Sequence, residues 1–131
     1  MARADIRITL RDQPEGEGPL TFHPGEVVQG YVEILPHEDL QCRHVFARLR
    51  WQTEGRGDRD EGVGIEQDLF QGKLQSGLSR MFSFHLVVPD QPWSYAGHYV
   101  SIVWALEAMI DLPWSRDLRE RMPVVIAPAW R

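Results

Sequence analysis

The sequence has one cysteine, Cys42, in 131 residues. No disulfide can close within the chain, and this usage suits a reducing compartment. Long apolar runs are also missing. The opening stretch MARADIRITLRD lacks the apolar core of ~7 residues that a secretory leader carries, and no stretch approaches the ~20 apolar residues of a membrane span. Neither sign of charge dominates: 14 basic and 19 acidic residues give a formal charge of −5. Such a chain offers no global field for phosphate backbones or anionic lipid. The expectation is a cytoplasmic protein with no nucleic-acid partner and no transmembrane segment.

Motifs that carry chemistry are scarce too. Neither GxxxxGK[ST] nor a strand followed by GxGxxG occurs, so no phosphate loop is present. Ser79, Ser83, Ser94, Ser101 and Ser115 all lie outside a G-x-S-x-G elbow. Cys42 has no glycine-rich turn or helix start beside it to lower its pKa. Asp58, Asp60 and Gly62 open like a calcium loop, yet Val63 and Leu69 stand where that loop needs its glycine and its bidentate glutamate. The expectation is a non-enzyme with no catalytic residue, no cofactor and no assigned metal. An alternative reading is a ligand- or metal-binding domain with a site near His37, Cys42 and His44. Cys42 and His44, two apart on one strand, read as sharing a face, and three such ligands suit zinc.

What the sequence does have is alternation. In Gly97–Asp117 the even positions Val100, Ile102, Trp104, Leu106, Ala108 and Ile110 form one apolar row, the mark of a long strand with one face on a core. The opposite row, Tyr99, Ser101, Val103, Ala105, Glu107 and Met109, is half apolar. It predicts a second face covered by another copy or another protein. Asp5–Arg11 alternates with Ile6, Ile8 and Leu10 inward and reads as a strand near a sheet edge. Pro14–Pro19 is a loop. Phe22–Leu35 reads as a tight turn at Pro24-Gly25 leading into a strand whose Gly30 marks a bulge or a close backbone approach.

Cys42–Thr53 places Val45, Ala47, Leu49 and Trp51 on one side. His44, Arg48, Arg50 and Gln52 share the other side with Phe46, which reads as solvated. Gly55–Gly64, rich in glycine and charge, reads as a mobile hairpin loop. Ile65–Leu74 is a weaker strand, and Arg80–Val88 sends Phe82, Phe84, Leu86 and Val88 to the core. Pro89–Ala96 is a proline loop, Ser115–Arg121 a helical turn, and Pro123–Ala127 the last strand. Seven or eight strands with almost no helix signal predict an all-β, antiparallel, immunoglobulin-like sandwich, a single domain over 1–131.

Several of these stretches carry a family likeness. Phe22-x-Pro24-Gly25-Glu26-x-Val28-x-Gly30-x-Val32 resembles the early hairpin of arrestin-like N-terminal domains. Phe82-x-Phe84-x-Leu86-x-x-Pro89, Pro92-x-Ser94-Tyr95-x-Gly97 and Tyr99-x-x-x-Val103-Trp104 resemble the later strands. Asp111–Asp117 with Pro123-Val124-Val125-Ile126 resembles the closing element. The matches run in order from Asp5 to Ile126 and cover the superfamily of arrestins, a retromer subunit and bacterial sporulation-control proteins. The resemblance implies a bacterial protein-binding scaffold or adaptor, one sandwich where relatives carry two in tandem, and a homodimer or another protein partner covering the free face.

Residues for such an interaction are the ring side chains outside the strand rows, Trp93, Tyr95, Trp114 and Trp130, because tryptophan and tyrosine anchor interfaces. Arg48 and Arg50 join them, with Arg43 and Arg80, as a basic strip for an acidic peptide or phosphate group. The structural reading of the same residues is that the rings cap the core and the arginines pair with acidic neighbours.

Overall fold

The structure is a computed structural model that describes residues 3–11, 19–55, 59–90, 94–96 and 100–128. Nine strands are present among them: β1 (Ala4–Leu10), β2 (Leu20–Phe22), β3 (Val27–Pro36), β4 (Leu40–Gly55), β5 (Glu61–Leu74), β6 (Arg80–Val87), β7 (Tyr95–Ala96), β8 (Val100–Asp111) and β9 (Leu118–Ile126). They form two sheets. The smaller runs β1-β3-β6. The larger runs β2-β9-β8-β4-β5, with β7 paired to the start of β8. All pairings are antiparallel except β2 with β9.

The apolar rows meet between the sheets. Opposite one another on β4 and β8 stand Val45 and Ile110, Ala47 and Ala108, Leu49 and Leu106, and Trp51 and Trp104. Val28, Val32 and Ile34 of β3 face them with Phe84 and Leu86 of β6, and all five are buried. Trp104 retains 2% of its surface. An indole that size sets the spacing of the sheets around it, and most of its ~200 Å² of ring surface stabilises the core.

Two of the longer elements differ from the sequence expectation, and Tyr95–Ala96, read as part of a loop, forms β7. The glycine-rich stretch is not a loop as far as Gly64, because β5 already runs from Glu61. Its glycines make room for rings: a Cβ on Gly62 would stand 2.8 Å from the Trp51 indole, and one on Gly64 would stand 2.6 Å from Cη2 of Trp104. Glycine here is a packing requirement, not a sign of mobility. Ser115–Arg121 is not a helical turn either. β9 begins at Leu118 and continues through Pro123. Proline is tolerated because β2 pairs only with Val124–Ile126, so Pro123 lies where β9 has β8 on one side and no described strand on the other.

The early turn and the glycine inside β3 are as expected. Gly25 has φ 86°, and the Glu26 N–H donates to the His23 carbonyl at 3.0 Å, the type II geometry of Pro-Gly. Gly30 marks a close approach: a Cβ there would lie 2.1 Å from the Thr9 carbonyl oxygen of β1.

Candidate functional site

Part of the outward face of the larger sheet is closed by its own side chains. Glu107 points away from the core, yet it has 0% of its surface exposed. It sits on β8 between Arg48 of β4 and Arg121 of β9. Arg48 donates from Nε to Glu107 Oε1 at 2.7 Å, and Arg121 donates from Nε to Oε2 at 2.5 Å. Arg50 stands 3.5 Å from the same Oε2 and donates to Glu61 at 2.7 Å. Arg48 also reaches Glu66 at 3.2 Å. Burial pushes the Glu107 carboxyl up, but the hydrogen bonds and charges of Arg121 and Arg48 outweigh it and hold the group below the usual carboxylate range.

This arrangement corrects one expectation and part of another. Arg50 is 8% exposed, so that side of β4 is not a solvated row. On the half-apolar row of β8, Glu107 and Met109 are buried beside arginine side chains within the chain, whereas Ser101, Val103 and Ala105 stay partly exposed. The basic strip does not form as a unit. Arg43 pairs with Asp111 at 3.1 Å, and Arg80 belongs to the smaller sheet, over the Phe70 and Phe82 rings at 5.0 and 5.4 Å.

The three residues of the metal alternative do not meet. A register shift between Cys42 and Val45 turns Cys42 and His44 to opposite faces. Cys42 enters the core, and its thiol faces the Leu40 carbonyl at 3.7 Å. Burial, then the charge of Asp111, pushes that thiol up to about 11, the behaviour of a packing cysteine. His44 stays outside, stacked on Phe46 with centroids 5.0 Å apart and 2.8 Å from Asp68. His37 bonds Asp5 at 3.1 Å. Among the described residues no group of three His, Cys, Asp or Glu side chains is placed to hold a metal ion.

Of the ring residues, Trp114 lies in the turn between β8 and β9 and is 96% exposed. Tyr95 is in β7, opposite Ile102. Trp93 and Trp130 lie outside the described residues. Arg48 and Arg50 are brought together around Glu107, on a strand row that does not include Trp114.

The smaller sheet holds an apolar surface that sequence reading missed and the edge strand that it expected. On its outer face Val27, Tyr31, Met81 and Val87 are exposed apolar side chains. β1 is its edge, and no described strand pairs with β1 on the other side. The Arg11 N–H donates to the Gln29 carbonyl, and the His37 N–H to the Arg3 carbonyl, each at 2.9 Å. Odd residues of β1 therefore bond to β3. By antiparallel alternation the N–H and C=O groups of Ala4, Ile6 and Ile8 point outward along the open edge.

No protein-family model matches the chain, and no curated protein matches it by sequence. Among solved structures it is similar to Spo0M, the sporulation control protein of Bacillus subtilis, with a TM-score of 0.72 over 99% of this chain at 18% identity. The fold is arrestin-like. Among the described residues, the strands that carried the family likeness in the sequence are the ones that build it, from the Pro24-Gly25 turn to the end of β9; Pro92, Gly97 and Tyr99 lie outside the described residues. This arrestin-like chain spans about half of the Spo0M chain, 51% of its length. At that identity the likeness is one of fold. No helix among the described residues is long and apolar enough to cross a membrane.

Proposed function

We propose that this chain is a non-enzymatic protein-interaction module, a single arrestin-like sandwich that works in the bacterial cytoplasm by adding an extended segment of a partner to the open edge of β1. One observation carries the reading: a row of outward backbone groups at Ala4, Ile6 and Ile8 on a sheet whose outer face also exposes Tyr31 and Met81. An added strand pairs with those groups, and side chains on alternate positions give selectivity. Trp114 supplies a ring anchor at the end of the sandwich, and Trp93, Tyr95 and Trp130 are further anchors in this reading. Arg48 and Arg50 are engaged around Glu107 within the chain, and in this reading the smaller sheet is the contact surface.

The test is recovery of bound proteins with tagged wild-type chain, Ala4→Pro and Trp114→Ala, identified by mass spectrometry. Ala4→Pro removes an outward donor and crowds the edge. The expected outcome is loss of the specifically bound set with Ala4→Pro and weakened capture with Trp114→Ala. An unchanged set with both variants contradicts the proposal.

A further inference from the structure

We infer that the segment which pairs with β1 is β1 of a second copy, in an antiparallel register centred on Ile6, so that the two smaller sheets join into one. The inference rests on the edge reading above and adds the partner and its register. In this register the outward groups of Ile6 meet those of Ile6 in the second copy, and those of Ala4 meet Ile8. The directly opposed side chains on the outer face are then Asp5 with Arg7 and, by symmetry, Arg7 with Asp5. The strand Ala4–Leu10 is thus self-complementary in charge. Both residues are exposed, and the Asp5 side chain keeps 69% of its surface while bonded to His37.

Neighbouring registers are worse. Centred on Arg7, the pairing sets Arg7 against Arg7 and Arg3 against Arg11, like charges on directly opposed positions. Centred on Ile8, it opposes Asp5 to Arg11 but must extend along Leu10 and Arg11. At that end Leu10 and Arg11 line, with Leu20, Thr21 and Phe22, a cavity of about 260 Å³. The Ile6-centred register needs only Ala4 to Ile8, whose outward backbone groups pair with no described strand. The interface is isologous, as a two-fold dimer requires. It is small, so association is expected to be weak and concentration-dependent.

Sedimentation velocity up to high protein concentration tests the inference with Arg7→Asp, Asp5→Arg, the double swap and Arg11→Asp, each first checked for a native circular dichroism spectrum. Arg7→Asp weakens self-association about tenfold or more, since two opposed pairs turn repulsive. The double swap restores association, and the two single variants mixed in equal amounts associate although each alone does not. Arg11→Asp leaves it unchanged. Asp5→Arg also loses the His37 bond, so Arg7→Asp and the mixture are the deciding samples. A chain that stays monomeric throughout, association indifferent to Arg7→Asp, or sensitivity to Arg11→Asp in its place overturns the inference. The edge reading falls separately: if monomeric chain still captures proteins in a manner lost with Ala4→Pro, the edge stands and only the second copy is wrong.

Discussion

A methyl group on Gly64 would collide with the far edge of the Trp104 indole and with Pro89, and neither a strand backbone nor an enclosed ring can move far. Gly64→Ala should therefore destabilise the fold by about 2 kcal/mol, read as a lower midpoint in urea with an unchanged slope. A neutral result would mean that the ring is not seated against β5. The Trp104 row was legible because one strand with one buried face imposes a period of two on its own residues. Glu107 was legible only as an outward residue. Its burial depends on Arg48 and Arg121, brought beside it by pairing from distant stretches, and no local pattern announces that. Cys42 and His44 misled for a related reason: two-residue spacing implies one face only where the strand has no register shift between them.

At the level of elements, β1, β3, β4, β6 and β8 were placed close to their bounds, β5 and β9 were begun too late, and the two short ones, β2 and β7, were not placed. Short strands exist by virtue of what they lie against. β2 is held by Val124–Ile126, and β7 is next to Ser94, whose N–H donates to the Ile126 carbonyl at 2.7 Å. The extension of β5 and β9 through glycine and proline was missed because those residues were read for their backbone preference alone. β1 was legible as an edge strand, with alternation, charge on the outer row and a break just after it. Its edge position also makes the Ala4→Pro variant a fair probe. The donor it removes points away from β3, so stability should stay within about 1 kcal/mol of the parent. A large loss in a thermal melt would show that β1 is paired on both sides.

For the whole molecule, the arginine cluster around Glu107 on the larger sheet serves stability, and the proposed contact lies on the edge of the smaller sheet. The folded chain holds the Glu107 carboxyl below its ordinary value, so on acidification the unfolded chain takes up this proton first. The stabilisation is complete above the usual glutamate value of about 4.3 and is lost as pH falls through the folded value. Glu107→Gln leaves its arginines without their central partner and should cost about 3 kcal/mol at neutral pH. Its further loss of stability between pH ~5 and ~3 should be smaller than that of the parent. Urea midpoints across that range check both, and parallel pH slopes would show that Glu107 does not hold the face.

Amide hydrogen exchange along β1, followed residue by residue in dilute chain and in the associated state, is the sharpest test of an edge left open for a second strand. Dilute protein should show alternation, with Arg7 and Thr9 slow because they bond to β3, and Ile6 and Ile8 fast because their N–H groups face the open edge. On association Ile6 and Ile8 become slow as well. Protection of Ile6 and Ile8 already in the dilute chain, or fast exchange at both in every complex, would contradict it.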